Sequence, residues 1–192
     1  MAVPIFLKTM AIGMILLACF LGPRPAGAAE PRFHVLQAVP PGAPPLADFS
    51  FPDLNGKPRR LSEWRGKVVL LAFFATWCPL CNEEIPRLST LQKKYGGRDF
   101  TVLAVSIDQT RAAPVEKWAR ERKLSFPILH DESFSSRTAH NVRFVPTLYL
   151  LDRDMRLVAR AVGFVDWQGK DATGLIERLF ALPRAARMED SP

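Results

Sequence analysis

The sequence predicts an α/β domain built on a mixed central β-sheet flanked by helices, and three observations predict it. Apolar strand-like runs alternate with segments of helical periodicity. The first long run, residues 67–75, is apolar almost throughout, as a strand covered on both faces should be. The last three elements then read as two strands and a helix, a hairpin rather than another parallel repeat.

Residues 1–29 read as an export segment. Lys8 is followed by an apolar run over residues 10–21 and then by Gly22, Pro23 and Pro25. Ala26-Gly27-Ala28-Ala29 supplies the small residues a signal peptidase accepts, so cleavage after Ala28 or Ala29 is the leading expectation. The run is shorter than the ~20 residues a membrane span needs. The apolar flank at residues 2–7 extends it, which makes an uncleaved membrane anchor the second expectation, and Leu16-Leu17-Ala18-Cys19 resembles a lipobox, the third. All three predict a periplasmic or extracytoplasmic domain, either soluble after cleavage or tethered through its N-terminus.

Residues 30–46 read as a proline-rich linker, since residues 23–45 hold seven prolines and favour an extended spacer. The folded domain is expected over residues 47–182 and a polar tail over 183–192. Residues 49–54 and 57–61 predict an N-terminal β-hairpin, with Asn55-Gly56 as the pair preferred in a tight turn. After the strand at 67–75, Ile85, Leu88, Leu91 and Tyr95 share one helical face, which predicts a helix from Pro79 to about Tyr95, kinked at Pro86. Residues 100–107 form the next strand. Pro114 starts a helix with Val115, Trp118 and Ala119 on its inner side. Strands follow at 126–129, 147–151 and, past the turn Asp152-Arg153-Asp154, 156–162. Ala172, Leu175, Ile176, Leu179 and Phe180 place a helix at the end.

Composition excludes several functions. Lys8 and Arg24 are the only charges before residue 30, so the rest of the chain carries 24 basic against 19 acidic residues. Those charges alternate in sign, as in Arg120-Glu121-Arg122-Lys123, which is the pattern of a solvated surface and not of a nucleic-acid footprint. No internal repeat is present.

The chemistry is concentrated in Trp77-Cys78-Pro79-Leu80-Cys81. The chain has three cysteines, and Cys19 lies in the export segment, so this pair is all that remains for the domain. A bridge across two intervening residues closes almost no loop and adds little stability, so a structural disulfide is a poor explanation. A zinc site needs two further ligands, and His34, His130 and His140 show no ligand spacing. The pattern instead signals redox exchange, with Cys78 at a helix start, where unpaired backbone N–H groups and the dipole favour a negative sulfur. Pro79 fits the first turn, where its missing N–H costs nothing. Cys81, one turn on, is placed to resolve a mixed disulfide formed by Cys78. Glu84 lies three residues beyond Cys81 on the same face, either as a proton partner or as an ordinary acid complementing the dipole; Glu83 points elsewhere, with Arg87 at ion-pair spacing. Trp77 directly before the nucleophile is expected to contact partners. Val145-Pro146 opens a strand after a loop, which is compatible with a cis bond, although the residues alone favour a trans proline at a strand start.

With Trp77-Cys-Pro-Leu-Cys81, Pro86 and Val145-Pro146-Thr147 together, the chain resembles the thioredoxin superfamily, and more narrowly the TlpA/ResA and DsbE/CcmG group of exported thiol–disulfide oxidoreductases. The likeness spans roughly residues 47–182 and includes Gly66-Lys67 and Glu84. The resemblance implies a thioredoxin-like fold, a cis bond before Pro146 facing the cysteines, and a Val145 backbone that pairs with the partner chain. Two departures stand out. Many relatives carry proline just before the second cysteine, where this chain has Leu80, and the buried acid that thioredoxins place six residues before the first cysteine is Ala72 here.

The expected activity is therefore an exported protein-disulfide reductase using the Cys78/Cys81 dithiol, on apocytochromes c or copper-site proteins, recharged by a membrane thiol donor. It needs no cofactor and no metal, because the cysteines carry the electrons. The rivals are a disulfide-donating oxidase, which a histidine between the cysteines would have favoured, and a copper metallochaperone, for which no ligand constellation is recognisable. Peroxiredoxins share the general layout, but Trp-Cys-x-x-Cys argues against them.

Overall fold

The computed structural model describes residues 36–40 and 42–182, all within the second of two compact units, Phe33–Pro192. The export segment, with Cys19, and the tail at 183–192 lie outside the described residues. Among the described residues no helix is long and apolar enough to cross a membrane.

A six-stranded mixed sheet forms the centre, in the order β1(Gln37–Ala38), β8(Leu157–Val162), β7(Thr147–Leu151), β4(Val68–Phe74), β5(Phe100–Ser106), β6(Ile128–His130). β4 pairs in parallel with β5, and β5 with β6; β7 runs antiparallel to β4 and β8. Every residue of β4 and β5 is buried, as the unbroken apolar sequence of β4 and the largely apolar one of β5 lead one to expect. The helices are α1(Pro79–Tyr95), α2(Ala112–Glu121), the short α3(Ser136–Ala139) and α4(Lys170–Ala181). α1 buries Ile85, Leu88, Leu91 and Tyr95, the face its periodicity marks. The assigned helix runs past Pro86, whose ring removes only the bond to the Asn82 carbonyl.

Several boundaries depart from expectation, each for a physical reason. α2 begins two residues before Pro114, since any N–H in a first turn lacks a helical partner and the ring is tolerated there. β6 begins at Ile128 because Pro127 has no N–H to enter the ladder, though its carbonyl still accepts from Ala104 N–H at 3.0 Å. The hairpin strands shorten to β2(Ser50–Pro52) and β3(Pro58–Arg60). Their connection is not a two-residue turn: Gly56 N–H bonds the Asp53 carbonyl at 2.9 Å, and Asp53 Oδ1 accepts from Asn55 and Lys57 N–H. Gly56, at φ 82°, supplies the left-handed residue of a three-residue loop.

The proline-rich stretch is extended, but it is docked. Gln37 and Ala38 pair with Arg160 and Ala159, Val39 N–H reaches the Val158 carbonyl at 2.8 Å, and Leu46 N–H reaches the Met155 carbonyl at 2.8 Å. β8 would otherwise present an open ladder edge; these residues cover it, while Leu36 and Leu46 pack against the core.

Candidate active site

β4 ends at Phe74, and the chain turns through Ala75, Thr76 and Trp77 before α1 begins at Pro79. Cys78 is the N-cap of α1, with extended φ −84°, ψ 117°, and Pro79 takes the first helical position. The Cys81 N–H donates to Cys78 Sγ at 3.2 Å, so the helix terminus presents a donor to this sulfur. The cysteines are in the dithiol form. Cys78 is 5% exposed and opens onto a groove; Cys81 is fully buried beneath it. Burial, then the hydrogen-bonded Cys78 sulfur, pushes the Cys81 thiol well above its ordinary range. The two sulfurs thus have separate surroundings, one accessible and one held as a thiol.

The loop before β7 faces the pair. The Val145–Pro146 bond is cis, and the Cys78 thiol donates to the Val145 carbonyl at 3.5 Å. The Val145 N–H has no backbone partner among the described residues. Around Cys78 the surface is unusually apolar for solvent contact: Trp77 is 67% exposed, Leu80 49% and Phe144 70%. These three side chains form an exposed apolar patch beside the Cys78 sulfur.

Glu84 occupies the sixth position of α1, beyond the first turn, and its side chain is fully buried. That removes the role of a dipole-complementing surface acid. Neither carboxyl oxygen makes a well-formed hydrogen bond, and neither does the indole N–H of Trp167. Burial dominates and raises the Glu84 pKa to about 7; the Val165 N–H, the Trp167 indole and Arg87 oppose it only in part. No hydrogen bond joins Glu84 to either sulfur. Arg87 stacks on Phe164 at 4.5 Å, and no ion pair with Glu83 forms among the described residues.

Two polar residues that sequence reasoning missed hold the loop that leads into Cys78. Buried Asp108, just past β5, accepts from Thr76 N–H at 3.0 Å, from the Thr76 hydroxyl, and from the Ser106 hydroxyl at 2.7 Å. Its negative charge also opposes ionisation of Cys81. Asn82 donates from Nδ2 to the Cys78 carbonyl at 3.0 Å and the Thr76 carbonyl at 3.3 Å. Its Oδ1 accepts from the Trp118 indole and from Arg122, both at 2.8 Å. The one sequence signal for Asp108 is its place at the C-terminal end of a parallel strand, where sites of α/β sheets gather. Asp108→Ala removes the acceptor of one buried donor, the Ser106 hydroxyl, and of two half-buried ones on Thr76, so it is expected to destabilise the domain by about 1–3 kcal/mol. Denaturant unfolding checks this; a loss below about 0.5 kcal/mol would show that the loop does not depend on it.

Most of the residues expected from sequence come together: Trp77, Cys78, Pro79 and Val145 line one groove, Pro146 is buried next to Val145, Cys81 lies buried beneath Cys78, and Glu84 is buried on the same helix. Of the histidines, His130 Nε2 lies 2.7 Å from the Thr110 carbonyl, and His140 packs on Phe49 and Phe73. Among the described residues no three of His, Cys, Asp or Glu gather into a metal-binding group.

Comparison with known proteins agrees with this architecture. The profile of the AhpC/TSA family matches residues 43–160. The thiol-disulfide oxidoreductase ResA of Geobacillus kaustophilus is 38% identical over 107 residues, which is 56% of this chain and 61% of that protein. ResA of Bacillus cereus is 32% identical over 116 residues, 60% of this chain and 66% of that one. The chain therefore matches just under two thirds of the length of these relatives. A Chlorobium tepidum structure assigned as the thiol:disulfide interchange protein DsbE superposes with a TM-score of 0.67 at 26% identity, covering 76% of this chain and 99% of that one. A DsbF homologue from Corynebacterium diphtheriae reaches the same TM-score, 0.67, at 18% identity, covering 82% and 99%; at that distance the likeness is one of fold.

Proposed function

The chain belongs to the AhpC/TSA family of thioredoxin-like proteins, and from that footing we propose that it is an exported thiol–disulfide oxidoreductase that reduces disulfides of other proteins. The observation that carries the proposal is the pairing of an N-cap sulfur open to a groove with a buried thiol one turn below it. The Cys78 thiolate attacks one sulfur of the partner disulfide, forming a Cys78–partner mixed disulfide. The partner's other sulfur leaves as a thiolate and takes a proton. Cys81 then gives up its proton and attacks Cys78, closing the Cys78–Cys81 disulfide and releasing the partner as a dithiol. Two electrons pass from the pair to the partner, and a thiol donor at the membrane restores them.

The buried Cys81 must lose a proton that its surroundings hold firmly. Glu84, buried on the same helix face with a pKa near 7, is the nearby group suited to take that proton and return it. Trp77, Pro79, Val145 and Pro146 seat the partner, with the Val145 N–H, which has no backbone partner among the described residues, offered to an extended segment. Leu80 between the cysteines, in place of the histidine of strong oxidants, supports the reducing direction. Disulfides of apocytochromes c and of copper-site proteins are the proposed targets, as the sequence resemblance implies.

Alkylation of the reduced protein tests the division of roles. Iodoacetamide at neutral pH is expected to modify Cys78 at least about tenfold faster than Cys81, since Cys78 opens onto the groove whereas Cys81 is fully buried and its surroundings oppose ionisation. Preferential labelling of Cys81, read by peptide mass, would reverse the assignment.

A further inference from the structure

The groove beside Cys78 continues past Trp77, Ile107 and Phe134 into a second depression. The part beside Cys78 is walled mainly by aromatic and aliphatic side chains, the second part adds the polar Gln109, Thr110 and Ser133, and among the described residues the charged side chains lining them are Arg143 and Arg137. Neither guanidinium makes an ion pair among the described residues, although six other pairs form elsewhere on the surface. Asp108 lies close by but is buried, its carboxylate already taken by Thr76 and Ser106.

Arg143 is not a loose surface chain. Its Nε donates to Asn141 Oδ1 at 3.0 Å, and Asn141 is held in turn, its carbonyl accepting from Arg160 at 3.2 Å. The Tyr149 hydroxyl pins the preceding His140 carbonyl at 2.6 Å. Asn141 takes a left-handed φ of 53°, which turns the loop toward the groove before Phe144 and Val145. One guanidinium edge is thus occupied in orienting the side chain, and its two terminal nitrogens stay free for a carboxylate.

We propose that the partner segment attacked at Cys78 carries an acidic residue close to its reacting cysteine, with apolar neighbours, and that Arg143 and Arg137 read that charge. This rests on the thiol–disulfide function above and adds the substrate class. The chemistry is unchanged: the Cys78 thiolate forms a bond to one partner sulfur, the partner S–S bond breaks, and the second sulfur leaves with the electron pair. The two arginines steer the approach and hold the flanking carboxylate beside the groove; they take no part in bond making.

The test uses three extended peptides, each with an internal Cys-x-x-Cys disulfide and differing only in flanking Asp, Asn or Lys. Neutral hydroxyethyl disulfide serves as a fourth substrate. Rate constants for oxidation of the reduced protein are measured at about 0.02 M and about 1 M salt, between which the screening length falls severalfold. The Asp peptide is expected to react about three- to tenfold faster than the Lys peptide at low salt, as two exposed ion pairs allow, and the gap should close at high salt. R143Q alone should shrink the ratio, and R137E/R143E should invert it. Reaction with hydroxyethyl disulfide alongside equal rates for the three peptides, or a preference unchanged in R137E/R143E, would overturn the charge-reading role alone. No reaction with hydroxyethyl disulfide would overturn the exchange function and this inference with it.

Discussion

Cys81→Ser is expected to hold partner proteins on Cys78 as mixed disulfides that survive non-reducing electrophoresis, whereas Cys78→Ser holds none. The asymmetry follows from geometry. Cys78 caps α1 at the groove, with the Cys81 N–H 3.2 Å from its sulfur, and so keeps its attacking position when the Cys81 side chain changes. Cys81 is fully buried and reaches no partner, only Cys78. Removing it leaves the first displacement intact and deletes the second, so the mixed disulfide accumulates. Removing Cys78 deletes the first step. Exchange turnover is expected to fall by at least about a thousandfold in either variant, the scale seen when an essential nucleophile is lost. Equal trapping by the two variants would show that the cysteines are interchangeable.

Glu84→Gln is expected to slow exchange and, at the same time, to change how stability depends on pH. Burial raises the Glu84 pKa from 4.5 to about 7 in the fold. Between those values the folded protein binds a proton that the unfolded chain does not, so wild-type stability falls as pH rises from 4.5 to 7 and levels off above. The interval corresponds to about 3 kcal/mol at ~1.4 kcal/mol per unit. Glutamine copies the neutral acid in size and cannot ionise. The stability of E84Q relative to wild type should therefore climb by about that amount across the window, while Glu83→Gln, on the exposed face, shows no such climb. Urea unfolding at a series of pH values reads the effect directly. Parallel pH curves for E84Q and wild type would mean that the carboxyl is solvated and has no proton to lend. A gain in stability joined to a loss of rate is the signature of a group kept for chemistry at the expense of the fold.

The parts legible in the sequence were those with a period. β4 declared itself by an unbroken apolar run, β5 by a largely apolar one, and α1 by Ile85, Leu88, Leu91 and Tyr95 on one face. The cysteine pair was legible because its spacing, its neighbours and the missing alternatives all point to one chemistry. Glu84 was only half legible: spacing put it on the Cys81 face, but its burial without a hydrogen bond depends on the loop around Val165 and Trp167, far along the chain. Asp108 and Asn82 were illegible for a related reason. Each is a single polar residue with a partner far along the chain, Thr76 for Asp108 and Trp118 for Asn82, and no local pattern encodes such pairing. The docking of Gln37 and Ala38 on β8 was equally hidden, since a two-residue strand has no alternation to read.

Redox equilibration of the Cys78–Cys81 pair tests the central claim most directly. The domain is brought to equilibrium in graded thiol–disulfide buffers, quenched with an alkylating agent, and its two cysteines counted by mass. A reductase is expected to show both cysteines changing together, in one two-electron transition of about 30 mV per tenfold change in ratio, with a midpoint near the −270 mV of thioredoxin-like reductants. A midpoint near −120 mV would reverse the direction and make the protein a disulfide donor. Two independent thiols that form no disulfide at any buffer ratio would contradict the account altogether.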